Sequence, residues 1–150
     1  MRPLLLALLL LLPSAALADD ELITIKSAHS APVTVQRLQE AIAANGWAIL
    51  GTVDHAARAA EFGVKIPART TISFALMARW VRLLIENPTI ALEVHMRVLV
   101  WEDQEGVWVT RDTERHFLRN IVGRHEAKAN KGPTGIMHEK IAAMIDNVTR

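Results

Sequence analysis

The run VHMRVLVWEDQEGVWVTR, residues 94–111, decides how this chain is to be read. Two β-rich segments flank Asp103-Gln104-Glu105-Gly106, a polar, glycine-ended connection of the kind that joins hairpin strands. A four-residue connection sets Trp101 opposite Trp108 and Glu102 opposite Val107. Successive side chains of a strand point to opposite faces, so Met96, Val98, Val100, Val107 and Val109 then share one face. His95, Arg97, Leu99, Trp101 and Trp108 share the other. The first face is an apolar surface for helices to cover. The second sets two indoles beside a guanidinium, which can hold flat or anionic ligands through stacking and cation–π contacts. That second face is also the natural dock for the last helix of the chain or for a second subunit, and burial there is the favoured expectation.

Working outward, ELITIKSA (21–28) alternates apolar and polar residues as a strand does. APVTVQRLQEAIAANG (31–46) changes to a helical period through Val35, Leu38 and Ile42, with Thr34 as the expected N-cap and Gly46 as the stop. WAILGTVD (47–54) reads as a strand in which Gly51 marks a bulge. A short helix follows from His55 to Gly63, then a loop at Pro67 and a strand over 70–76. Met77, Trp80, Val81 and Leu84 recur at helical spacing until Asn87-Pro88. Beyond the hairpin, DTERHFLRNIVGRH reads as one helix and EAKANKGPTG as an exposed linker. The last helix carries Met137, Ile141, Met144 and Val148 on one stripe. The order β-α-β-α-β-α-β-β-α plus a C-terminal helix predicts an α+β fold, a mixed or antiparallel sheet with helices packed on one face. No glycine-rich turn follows the first strand, which disfavours a doubly wound nucleotide fold.

Location is written in the first residues. One arginine, the apolar run LLLALLLLL (4–12), a Pro13-Ser14 break and Ala16-Leu17-Ala18 form a secretory leader, with cleavage expected after Ala18. The run is shorter than the roughly 20 residues that cross a bilayer, so no stable membrane anchor is expected once the leader is removed. The expected organisation is leader 1–18, domain 19–126, and linker with C-terminal helix 127–150. Without Arg2, sixteen Lys and Arg (17 less one) face 16 Asp and Glu. Neutrality and the lack of a basic stripe argue against nucleic acid. The chain has no cysteine, which rules out disulfides and thiolate chemistry and suits a periplasmic protein.

Three segments in order carry a resemblance. A strand runs into a helix ending in Asn45-Gly46; Val53-Asp54-His55 is followed by Ala59, Gly63 and Pro67; and MRVLVWEDQEGVWV spans 96–109. Over 22–111 the chain resembles the bacterial family known as domain of unknown function 302. The resemblance implies a compact α+β domain and no particular reaction. Members commonly carry a Gly-Asn-Pro-like turn after the third strand, Leu-Pro before the hairpin and a tyrosine at its end. Here those places read Ala75-Leu76-Met77, Val94-His95 and Arg111.

Candidate chemistry is sparse. His55 could serve as acid, base or ligand with Asp54 orienting it, but Asp54 is better explained as the cap of the helix that follows. His116 and His125, nine residues apart, fall on opposite sides of an ideal helix. His29 and His138 sit where exposed histidines are common. His95-Met96 matches copper ligands in composition alone, since neighbours on a strand diverge. No metal site and no cofactor is implied. The leading expectation is an exported, non-catalytic ligand-binding or interaction module, with His95, Arg97, Trp101 and Trp108 as ligand-binding candidates. Its partner would be a small molecule or a protein, and a homodimer could form through Met137, Ile141, Met144 and Val148. The alternatives are a small hydrolase or transferase using His55 or His95 with Arg97, and a His/Met metal or haem carrier.

Overall fold

The computed structural model describes residues 21–127 and 131–150, apart from the side chains at 77–79 and 131–133. The expected leader therefore lies outside the described residues. Five strands, β1 (Leu22–Ser27), β2 (Ala48–Asp54), β3 (Arg69–Ala75), β4 (Met96–Asp103) and β5 (Gly106–Asp112), form one sheet. Its order is β1-β5-β4-β3-β2 and every neighbouring pair is antiparallel. The fold is α+β. The hairpin register places Trp101 opposite Trp108 and Glu102 opposite Val107, and the ladder continues to Asp103 and Gly106. Pairing thus consumes the outer residues of the expected loop and leaves Gln104-Glu105 as the turn.

Strand alternation divides the sheet as the sequence requires. Met96, Val98, Val100, Val107 and Val109 are buried with Ile72 and Phe74 of β3 in one apolar core. Helix α1 (Ala31–Ala44) lies across that face, touching β2, β3 and β4, with Leu38 and Ile42 wholly buried. It begins before the expected Thr34 cap, because Pro32 supplies helical φ in the first turn. Ser30 holds the N-cap place, and Thr34 turns inward, donating to the Ser30 carbonyl at 2.9 Å and bonding Ser27 Oγ at 2.8 Å. In β2 the register slips between Ile49 and Gly51, the bulge that the glycine signals.

Helix α2 (His55–Glu61) buries no residue. Helix α3 (Met77–Glu86) buries Trp80 but leaves Val81 half exposed, so its apolar stripe is narrower than expected. A 3₁₀ turn over Pro88–Leu92 drops Ile90 into the core. After β5, helix α4 (Glu114–His116) starts on a Thr113 cap and runs into a π-helical turn, Phe117–Val122. The single helix read from 112–125 is therefore two geometries, and the 100° spacing used for His116 and His125 does not hold through the π turn.

Helix α5 (Lys131–Thr149) starts within the stretch read as a linker. Pro133 is tolerated there because amides of a first helical turn have no intrahelical acceptor. Met137, Ile141, Met144 and Val148 are buried, joined by Ile145, in the same core as the hairpin valines. The helix packs on α1 and β1, and the Ala28 amide donates to the Thr149 carbonyl at 2.7 Å. One expectation changes as a result: the helix does not cover the Trp101–Trp108 face. Its stripe of Met137, Ile141, Met144 and Val148 packs inside its own chain.

Candidate functional site

The sheet face turned away from the core is a ladder of polar and aromatic side chains. Arg69, Trp101, Trp108 and Lys26 form one cross-strand row; Thr71, Leu99, Thr110 and Thr24 form the next; Ser73 pairs with Arg97 in a third. Beside that third row lies a cleft of about 550 Å³, within the usual size of small-molecule sites. Leu50, Gly51 and Val53 of the edge strand β2 line one side. Glu93 and His95, after the 3₁₀ turn, line another, and His116, Asn120 and Arg124 come from α4, the π turn and the residues after it.

Charges in and around this cleft are unevenly committed. Arg124 Nη1 lies 2.5 Å from Glu93 Oε1, and His125 Nε2 approaches the same oxygen at 3.8 Å. Glu21 is gripped at both oxygens, by Asn120 Nδ2 at 2.8 Å and His116 Nδ1 at 3.0 Å. The Asn120 bond first, and the His116 bond next, hold the Glu21 carboxyl below the usual carboxylate range. A carboxylate only accepts, so His116 Nδ1 is the donor of its bond to Glu21. Nε2 stands 3.9 Å from Asp112 Oδ1, beyond hydrogen-bond length. Arg97, exposed at the start of β4, has no ion pair among the described residues.

His95 and Arg97 thus line the cleft. Trp101 and Trp108 do not; they stack farther along the same face, half-buried against each other, ring centroids 6.0 Å apart. His55 also lies outside the cleft, its Nε2 3.0 Å from Thr71 Oγ1, while Asp54 Oδ1 accepts the Ala57 amide at 2.9 Å and caps α2. His55 and His95 are not brought together with a carboxylate. His95 is exposed and Met96 is buried, on opposite sides of β4. Among the described residues no three His, Asp or Glu side chains converge as a metal would require.

Sequence reasoning missed His116, Asn120 and Glu21, which are joined by a π turn and by contacts spanning 95 and 99 residues. It also missed His138. That imidazole is 5% exposed, its two nitrogens are unbonded, and it lies against the Phe117 ring. Burial, and after it the charge of Arg111, pushes its pKa down to about 4.

A solved structure shares this architecture. The crystal structure of an uncharacterized conserved protein DUF302 from Bacillus stearothermophilus superposes with a TM-score of 0.72, covering 87% of this chain and 99% of that one at 17% identity. The family model described as "Domain of unknown function DUF302" matches residues 23–148, helix α5 included. This chain belongs to the DUF302 family. It is also similar to proteins named fluoride-specific ion channel: FluC 1 of Brucella suis and FluC 2 of Brucella melitensis, each 34% identical over 112 residues. Those alignments take in 71% of this chain but only 44% and 42% of the two channels. Among the described residues, no helix is long and apolar enough to cross a membrane.

Proposed function

We propose that this protein is a non-catalytic binding module that holds a small anionic ligand in the cleft, with Arg97 as its anchor. The observation that carries this reading is an exposed guanidinium with no ion pair among the described residues, lining a cleft of about 550 Å³. The carboxylates Glu93 and Glu21 are engaged by other side chains, which leaves Arg97 available to a ligand. Guanidinium groups bind carboxylate and phosphate through paired, charge-assisted hydrogen bonds. The leader composition of residues 1–18 supports export to the periplasm, where the module would meet its ligand.

In the Brucella channels the matching region is less than half of the protein, so we take it as an accessory part rather than the conducting one. Their name places fluoride among the anions to be tried.

Isothermal titration of the exported protein with fluoride, phosphate and acetate tests the reading. At least one anion should bind, and Arg97→Ala should weaken it tenfold or more. Silence with all three, or binding indifferent to Arg97→Ala, would overturn it. N-terminal sequencing of protein from the periplasmic fraction should begin at Asp19; a product retained in the cytoplasm would remove the localisation.

A further inference from the structure

The cleft that carries Arg97 also carries an exposed apolar wall. We infer that its ligand is an aliphatic monocarboxylate of medium chain length, whose carboxylate meets Arg97 and whose chain lies along Leu50, Val53 and Leu92; this rests on the anion-binding reading above. Those three side chains line the cleft and are 48%, 46% and 74% exposed. Exposed aliphatic residues scattered singly are ordinary, whereas several gathered around one concave site mark a place where an apolar group is bound.

The sheet sets the polar and apolar parts in order. Gly51 pairs with Ser73 and Ser73 with Arg97, so one cross-strand row runs from the edge strand to the guanidinium, and all three line the cleft. The row starts at a residue with no side chain, and a Cβ on Gly51 would meet nothing within 4 Å, which keeps the cleft open beside β2. The register slip between Ile49 and Gly51 leaves Leu50 without a partner on β3, and a bulge of this kind re-aims a side chain. Val53, two residues beyond Gly51, returns to the same face. Leu92 approaches from the end of the 3₁₀ turn, whose Ile90 is fixed in the core. Glu93 is the acidic residue of the lining, and Arg124 engages it. Branched aliphatic side chains form the wall rather than the faces of Phe or Trp, which suits a flexible chain more than a ring to be stacked. A bare inorganic anion would use Arg97 and leave this wall in water.

The test is calorimetric titration with acetate, butyrate, hexanoate and octanoate below micelle-forming concentration, beside phosphate, fluoride and uncharged hexanamide. Each methylene withdrawn from water should tighten binding about two- to four-fold, so octanoate should bind about tenfold or more tightly than butyrate. Leu50→Ser and Leu92→Ser should each lower that ratio about three-fold or more. Arg97→Ala should weaken the whole series, and hexanamide, which tests the charge without altering the protein, should bind about tenfold or more weakly than hexanoate. Circular dichroism melts of the variants establish that they fold. Equal affinity along the series, or a rise that either leucine variant leaves intact, would overturn the aliphatic wall and leave the anion site standing. Phosphate or fluoride bound through Arg97, with no carboxylate bound, would overturn it too. Chain-length-dependent binding indifferent to Arg97→Ala, hexanamide bound as tightly as hexanoate, or silence with every anion would remove the anion reading itself and this inference with it.

Discussion

Trp108 Nε1 donates to Asp103 Oδ1 at 2.9 Å, tying the second strand of the hairpin to the turn that produced it. That oxygen also accepts the amides of Glu105 and Gly106, at 2.8 and 3.1 Å. The Trp108 bond leads the causes that hold the Asp103 carboxyl below its ordinary range. Trp101 stacks on Trp108 from across the ladder, and Lys26 Nζ lies 5.3 Å from the Trp108 ring centre. Stacking contributes about 0.5–1.5 kcal/mol and the hydrogen bond about as much. Trp108→Leu should therefore lower stability by roughly 1–3 kcal/mol in urea unfolding. Trp108→Phe, which keeps a ring and loses the N–H, should fall between. A Leu variant as stable as wild type would deny the pair this role.

Asp54→Ala should cost about 1 kcal/mol, the usual penalty for an N-cap. Asp54→Asn should cost much less, because an amide oxygen can still accept the Ala57 amide. His55→Ala removes only the contact with Thr71 from an exposed site and should leave the melting temperature nearly unchanged. Equal melting of the Asp54→Ala and wild-type proteins would refute the capping role.

His138 makes stability depend on pH in a definite direction. Its folded pKa is depressed to about 4 from 6.5. Above pH 6.5 neither state holds the proton, and the stability is fully present. As pH falls from 6.5 towards 4, the unfolded chain binds a proton that the folded chain refuses, and stability drops by up to about 1.4 kcal/mol per pH unit. Burial is the main cause and the Arg111 guanidinium the second; Arg111 feels Asp146 and Asp112 but has an unbonded Nε of its own. His138→Leu should flatten the difference between pH 6.5 and 5 in urea unfolding, and Arg111→Met should move the His138 titration upward in NMR. Identical pH slopes for wild type and His138→Leu would contradict this account.

Gly123 follows the π turn with no room for a side chain: a Cβ there would meet the Arg119 carbonyl at 2.7 Å. A backbone oxygen cannot swing aside as a side chain can. Gly123→Ala should cost about 1–3 kcal/mol, as overpacking does. It should also weaken ligand binding through the displaced Asn120–Glu21 contact. An alanine variant with unchanged stability and affinity would show that the turn adapts freely.

Much of the fold was legible because it rests on local periods. Alternation in 96–109 placed the valines on one face, and turn chemistry set Trp101 against Trp108, as the register shows. The helical stripe through Leu38 and Ile42 was equally direct, since both are wholly buried. The misreadings fall where two periods compete. Thr34 has a capping residue's chemistry, yet Pro32 starts the helix earlier and turns the hydroxyl inward. Lys131–Gly135 looked like a linker, but a first helical turn accepts Pro133. His138 looked exposed from its neighbours in sequence, and its burial comes from packing against Phe117.

The candidate site was half legible. His95 and Arg97 follow from strand parity, which sends both to the face opposite α1. His116, Asn120 and Glu21 do not, because their meeting depends on a π turn that shifts the helical register and on a contact 95 residues long.

The sequence by itself determined the α+β architecture, the inward side of the hairpin's Met96 and valines and the cap of α2, because each depends on neighbours a few positions away. Tertiary structure alone decided where α5 docks, which carboxylates of the cleft are occupied, and that Arg97 has no ion pair among the described residues. Those outcomes depend on competition between distant partners for the same surface. Local spacing carries no record of which partner wins.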